Sequence, residues 1–499
     1  MVTAVTESET GRRSMRRGPN TYPDWRIPLP GRQIPRTMPT YQYPESHVFY
    51  RKLTRKFPLI VRGEGCWLIG EDGTRYLDGS GGAFVVNLGH GIAEIGQAMA
   101  EQAGKVAYIN GTAFTNEPVE ALAGELASLA VGDLDKFYFL GSGSEAVEAA
   151  LKLARQYWVE TGKPSKHKVI ALFPAYHGNT LLALSASARE HYKTYYREWL
   201  VDIHRIPAPY AYRCECGGSE FRVPSSACPV CSGSALESAI LELGADNVAA
   251  FIAEPVGGSS TGHSVPAPDY FRRVREICDR HRILFIADEV LVGAGRTGTF
   301  AAIEQYGVVP DIITFGKGIT GGYAPLSVVA APRRLLDPIA KGSGSLLHAQ
   351  TFSHHPVLAS AGLAAIRYLK RHRLVERCAT MGQTFHRKLE AVRAMPHVGD
   401  VRGRGLLAGV EFVMDKATRQ PFPRKLKFAE TFAEEALNAG LMTWANMGQA
   451  DGTNGDLSCL APPFVIEESE IDELIWRFGA ALDKTIKQIS GAGVQVSGV

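Results

Sequence analysis

The sequence predicts an α/β fold: a large domain with a mostly parallel sheet between helices, plus a smaller α+β domain. Two observations carry this. Between about residues 135 and 330 short apolar runs alternate with helical stretches, and beyond about residue 374 the pattern becomes amphipathic helices around one mixed segment, 401–412. Continuous apolar runs mark strands buried on both faces, which a parallel sheet covered by helices provides.

In chain order, Tyr76-Leu77-Asp78-Gly79 reads as a strand entering a turn rich in glycine (Gly79, Gly81, Gly82). Sheet strands follow at residues 137–140, 169–173, 248–253, 283–287 and 312–315. The domain division expected from these patterns is a flexible N-terminal arm (1–40), a segment packing with the small domain (41–95), the large domain (96–373, with an insertion at 210–235) and the small domain (374–499). The tail from Gly491 is small and polar and is expected to fray.

Composition narrows the function. With 499 residues, 45% hydrophobic and 21% charged, the chain has room for large cores. A net charge of +3 with interspersed signs gives no strong field, so neither nucleic acid nor a membrane is expected as partner. No run approaches the roughly 20 apolar residues of a membrane span. The arm carries Arg12, Arg13, Arg16 and Arg17 but lacks the apolar core of a secretory signal, and Glu7 and Glu9 argue against a mitochondrial presequence. Eight cysteines in this length indicate no disulfide framework and a cytoplasmic setting.

Chemistry in parallel sheets gathers beyond the carboxyl ends of the strands. There stand Gly141-Ser142-Gly143-Ser144-Glu145, Tyr176-His177-Gly178, Glu254-Pro255, Asp288-Glu289-Val290 and Lys317. The first opens a helix with apolar residues at Val147, Ala150, Leu151, Ala154 and Trp158, and Ser142 with Glu145 fits a capping box. Glycines and free N–H groups at a helix start favour a phosphate, although a structural cap has the same sequence. Lys317, flanked by glycines at the end of an apolar run, is either a snorkelling lysine or an amine consumed in a Schiff base. Asp288 at a strand end calls for a cation, which a salt bridge or a protonated pyridine nitrogen would supply.

Taken together these segments resemble the class III aminotransferases, which are fold-type I enzymes dependent on pyridoxal phosphate (PLP). The resemblance covers about residues 58–474. Its most specific part is Asp288-Glu289-Val290, Gly295-Arg296-Thr297-Gly298, Pro310-Asp311-Ile312 and Gly316-Lys317-Gly318. It implies that Lys317 forms the Schiff base and shuttles the proton, and that Asp288 binds the pyridine nitrogen. Gly143 and Ser144 would hold the phosphate, while Tyr176 and Val290 would face the ring from opposite sides. His177 and Gly178 would complete the turn, with Glu254 in support. Thr351, in Gln350-Thr351-Phe352-Ser353, matches the threonine that reaches the phosphate from a partner subunit, which implies a homodimer with sites at the interface.

The substrate residues depart from the family pattern. Trp444 stands near the position where omega-aminotransferases carry a carboxylate-binding arginine, and Ser259 replaces the switch glutamate of ornithine-type members. Arg402 is the remaining carboxylate candidate. Phe84 stands where the biotin-pathway members place tryptophans. The segment from Ala450-Asp451-Gly452 through Gly455-Asp456 to Ala461-Pro462-Pro463 is similar to an omega-aminotransferase subgroup. The expected reaction is therefore ping-pong transfer of an amino group from an amine or omega-amino acid to a small oxo acid or aldehyde. An aminomutase, racemase, decarboxylating transaminase or amine lyase would use the same residues. Cys214, Cys216, Cys228 and Cys231 form a candidate structural zinc site, the last pair having Cys-Pro-x-Cys form. They leave open a non-catalytic, zinc-containing binding protein on a degenerate PLP fold.

Overall fold

Seven strands build the large sheet: β1 (Lys136–Leu140), β2 (Lys168–Phe173), β3 (His204–Pro207), β4 (Val248–Ala253), β5 (Leu284–Asp288), β6 (Ile312–Phe315) and β7 (Ser327–Ala331). Their spatial order is β3-β2-β4-β5-β6-β7-β1. From β3 through β6 all neighbours are parallel, with Ala287 opposite both Ala253 and Ile313. β7 runs antiparallel to β6 and β1. The computed structural model describes residues 40–214 and 228–491, so nearly all of the expected arm, Cys216 and the end of the tail lie outside it.

All five expected runs are strands, two of them to the residue. β3 was not expected: it is an edge strand of four residues, and only Ile206 is buried. Nor was β7, a five-residue run set between glycine-rich and proline-containing loops.

Helices cover both faces. On one, α1 (Gly143–Glu160) buries Val147, Ala150, Leu151, Ala154 and Trp158 at the expected spacing, and the Trp158 indole donates to the Ala249 carbonyl at 2.8 Å. On the other, α2 (Tyr270–His281) lays Phe271 against Phe285 of β5, ring centroids 5.7 Å apart, and Phe285 lies 5.9 Å from Phe251 of β4. Burial of these aromatic rings supplies both apolar area and favourable ring geometry.

Helices α3 (Pro356–Arg371) and α4 (Leu374–Ala394) lead to a second, antiparallel sheet: β8 (Val398–Gly403), β9 (Ala408–Phe412), β10 (Trp444–Met447) and β11 (Asp456–Leu460), in the order β8-β9-β11-β10. α5 (Phe428–Asn438) and α6 (Glu468–Gly491) pack beside it. Segment 401–412 is thus a hairpin. Its turn needs Gly403 (φ 147), where a Cβ would lie 2.0 Å from the Leu407 carbonyl oxygen. Leu441–Met442 pairs in parallel with Arg75–Asp78, in a sheet completed by Trp67–Gly70 and Ile60–Glu64. Among the described residues no helix is long and apolar enough to cross a membrane.

Candidate active site

Each of the five motif segments sits just beyond, or at, the carboxyl end of a parallel strand: after β1, β2 and β4, at the end of β5, and after β6. Parallel alignment brings all these ends to one edge of the sheet. The site follows from strand order.

Asp288, 3% exposed, is its best-braced group. One carboxylate oxygen accepts from the Val290 N–H and the Thr314 hydroxyl, both at 3.1 Å, and the other lies 2.7 Å from His177 Nδ1. Burial alone pushes the His177 imidazole toward neutrality, but the hydrogen bond and charge of Asp288 outweigh it, so its pKa is raised. Its Nε2 is buried with no hydrogen-bond partner among the described residues. Glu254 accepts from the Tyr176 N–H at 3.4 Å, and burial pushes its carboxyl up to about 7.

Lys317 opens the 3₁₀ turn Lys317–Thr320 in left-handed conformation (φ 45), a strained setting for a side chain of this size. Its ammonium makes no hydrogen bond or ion pair within the described chain and stands 5.7 Å from the Phe84 ring. Burial lowers its pKa to about 8, against the pull of Asp288 and Glu254; Arg189 lowers it further.

At the start of α1, Ser142 caps the Glu145 N–H at 3.3 Å, but Glu145 reaches back to the Gly141 N–H (2.8 Å), so the box closes one residue early. The Ser144 hydroxyl accepts from the Asn179 N–H at 3.0 Å. A Cβ on Gly143 would meet Val290 at 2.6 Å, and one on Gly178 would meet the Ser144 hydroxyl at 2.6 Å. Gly143, Ser144, Gly178 and Val290 are therefore mutually packed.

Phe84 (φ 64) and Trp444 lie side by side, centroids 5.5 Å apart, with His263 against Phe84 at 5.4 Å. Arg402, the expected carboxylate candidate, already has partners within the chain. Its guanidinium is buried and engaged by Asp400 (2.9 Å), Glu411 (2.8 Å), Tyr210 and the Thr261 carbonyl (2.9 and 2.6 Å), leaving no edge for a substrate. Arg402 cements the β8–β9 hairpin to the loop after β4. Thr351 is exposed on the single chain, and its carbonyl accepts from the Tyr108 hydroxyl at 3.1 Å; no hydrogen bond joins its side chain to the other site residues.

Three residues of this region are given no role from sequence. Arg189 is buried beside Tyr176 and two serines. Glu289, its carboxyl pushed up to about 8 by burial, accepts from the Ala302 and Ile303 N–H groups and so holds the loop after β5. Arg296 is fully enclosed and donates to the Leu406 and Pro462 carbonyls at 3.1 and 2.5 Å, tying that loop to the segments before β9 and after β11. A signal existed for Arg296 in its glycine-flanked motif; Arg189 stands among small residues that read as ordinary core.

A lysine with a desolvated amine near a buried, histidine-backed aspartate, at the ends of neighbouring parallel strands, fits a PLP-dependent transferase of fold-type I. The aminotransferase class-III family model matches residues 49–482. An uncharacterized aminotransferase of Schizosaccharomyces pombe is 40% identical over 446 residues, 89% of this chain and 95% of that protein. The putrescine–pyruvate aminotransferase of Pseudomonas aeruginosa is 34% identical over 87% of this chain and 93% of its own. A solved (S)-enantioselective omega-transaminase from Thermomicrobium roseum superposes with a TM-score of 0.80 at 35% identity, covering 87% of this chain and 94% of that one. The chain belongs to the class III aminotransferases and is a PLP-dependent transaminase.

Proposed function

We propose that the chain transfers an amino group from an amine or omega-amino acid to a small oxo acid or aldehyde, with PLP held by the residues grouped above. The observation that carries this is the Lys317, Asp288 and His177 arrangement. The residues suit the cofactor. A buried ammonium without a counter-ion, a carboxylate oriented from three sides, and the glycines Gly143 and Gly178 beside a helix start together offer an amine, an anion and a phosphate seat. When bound, PLP supplies an aldehyde that captures amines and a ring that accepts electrons.

Lys317 Nζ, poised near pH 8, anchors the aldehyde and carries a proton to and from the carbon that bears the amino group. Asp288 keeps a proton on the pyridine nitrogen. His177 orients the carboxylate and shares its charge. Gly143, Ser144 and the N–H groups at the start of α1 seat the phosphate, Tyr176 and Val290 confine the ring, and Glu254 fixes the Tyr176 backbone. Phe84 and Trp444 shape the substrate side. The named activity of the putrescine–pyruvate relative supports this choice of donor and acceptor.

Mixing holoenzyme with an amine donor alone tests the reaction. The visible cofactor band is expected to fall as the pyridoxamine form accumulates, and to return when pyruvate is added. Return without an acceptor would move the assignment to a racemase or lyase.

The homodimer is supported by exposed apolar side chains near Thr351: Leu347 (72%), Phe352 (57%) and Phe114 (69%). The pairing of Leu441–Met442 with Arg75–Asp78 supports the packing of segment 41–95 with the small domain at 374–499, with 96–373 as the large one. The seven described cysteines, all free of disulfides, support a cytoplasmic setting.

We propose zinc as a second, structural group. The sulfur atoms of Cys214, Cys228 and Cys231 lie within 4.8 Å of one another, with Cys214 at 3.4 Å from Cys228 and 3.6 Å from Cys231. Thiolates around one zinc, at Zn–S of roughly 2.3 Å, stand about 3.8 Å apart. Cys216 lies outside the described residues. Arg213, next to Cys214, donates to Glu411 at 2.7 Å, so a metal here braces the insertion against β9. Elemental analysis of the purified protein should return about one zinc per chain, reduced well below half in Cys228→Ser. A metal-free protein that also fails to take up added zinc under reducing conditions would refute the site.

A further inference from the structure

We infer that Arg189 is the carboxylate-recognition residue of this active site, so that at least one substrate is an amino acid or oxo acid whose carboxylate sits between Tyr176 and the Ser259–Ser260 turn. This rests on the transaminase reading in one respect only: it takes Lys317 as the reacting amine.

Arg189 is 7% exposed, and among the described residues no carboxylate lies within ion-pair distance of it. Its partners are neutral. Nε donates to the Ser260 hydroxyl at 3.0 Å and an Nη to the Ser259 hydroxyl at 2.5 Å. The guanidinium carbon stands 4.9 Å from the Tyr176 ring centroid and 5.7 Å from that of Tyr192, whose hydroxyl also faces it. Burying a guanidinium without a counter-ion is costly, and a protein that keeps one has commonly reserved it for an anion. The other enclosed arginines have charged or backbone partners. Arg402 and Arg477 have carboxylates, and Arg296 has carbonyls.

The position is right for a substrate. Tyr176 leads into the His177–Asp288 pair. Ser259 accepts, through its carbonyl, from the Asn446 amide at 2.8 Å on β10, two residues past Trp444. Trp444 touches Phe84, and Phe84 faces Lys317. These contacts form a continuous chain of neighbours from Arg189 to the Lys317 amine. The lowering of the Lys317 pKa by burial and by Arg189 agrees with their proximity.

The chain's departures from its family fit the same assignment. Trp444 supplies no cation and Arg402 is engaged. A glutamate at 259 would place its carboxylate against the Arg189 Nη and neutralise it, whereas a serine hydroxyl orients the guanidinium and leaves its charge to a ligand. Two of the five N–H groups meet serines and another faces the Tyr192 hydroxyl, which leaves N–H donors for a carboxylate.

The test compares holoenzyme with Arg189→Gln and Arg189→Lys. In Arg189→Gln, kcat/KM should fall about 100-fold with pyruvate as acceptor but by less than about tenfold with butanal, which has no carboxylate. Arg189→Lys should recover part of the pyruvate loss. Calorimetric titration with succinate, which cannot react with the cofactor, should show affinity reduced at least about tenfold in Arg189→Gln. Equal losses on both acceptors, or unchanged succinate affinity, would overturn the inference and leave Arg189 a brace for Tyr176. Succinate binding that depends on Arg189 in a protein unable to transaminate would remove the transaminase reading and leave this one standing.

Discussion

Lys317→Ala is expected to lower kcat for transamination by about 10⁴-fold or more, because one substitution removes both the covalent anchor and the group that moves the proton. Steady-state turnover with an amine donor and pyruvate measures it. The variant should still seat the cofactor through Asp288, Gly143 and Ser144, so borohydride treatment should fail to fix the chromophore to the chain. Retained turnover would remove Lys317 from the reaction. A second consequence needs no cofactor. Lys317 titrates at about 8 in the folded chain against 10.5 in model compounds, so folding pays a penalty while the amine is protonated. For a base whose folded pKa is depressed, that penalty is full below about pH 8 and fades as pH rises toward 10.5. Cofactor-free Lys317→Met should therefore be more stable than the parent at pH 7, by on the order of 3 kcal/mol, and the gap should close above pH 10. Denaturant unfolding at the two pH values would show it.

The parts of this molecule legible in the sequence are those where one local pattern has one physical meaning. Residues 248–253 and 312–315 are apolar without interruption because helices cover both faces of β4 and β6, and they emerge as strands with no shift of boundary. The site residues could be read because strand ends collect in parallel sheets, so five short motifs far apart in sequence shared one address. Legibility fails where tertiary partners decide. A valine-arginine-glycine segment is the same string whether Arg402 meets a ligand or meets Asp400 and Glu411 across a hairpin. Arg189 was hidden for the opposite reason, since nothing in Ser185-Ala186-Ser187-Ala188 announces that the next residue lies under the Ser259 turn, some 70 residues away. Ser142 and Glu145 were read correctly as a cap, yet the carboxylate chose Gly141 over its own cap residue and took a second bond from Gln350 at 2.6 Å.

Asp288→Asn should cost about 10³-fold in kcat with little change in the amount of cofactor bound. The amide keeps the shape and can still accept from Val290 and Thr314, but it carries no charge to hold a proton on the pyridine nitrogen. The same substitution unsettles His177, which provides a readout independent of turnover. In the parent, Asp288 raises the imidazole pKa above its ordinary 6.5 despite complete burial. A raised folded pKa contributes stability that is fully present below pH 6.5 and is lost as pH climbs through the folded value. Without the Asp288 carboxylate, burial is opposed only by the charge of Glu254, so the imidazole resists protonation and folding at low pH carries the cost of neutralising it. The stability difference between parent and Asp288→Asn should thus be larger at pH 5.5 than at pH 8.5 when unfolding is followed by circular dichroism. A difference that is flat across this range would mean that His177 is not charged in the parent. In that case Asp288 would act on the cofactor alone, and the role of His177 would reduce to orienting the carboxylate through a neutral hydrogen bond.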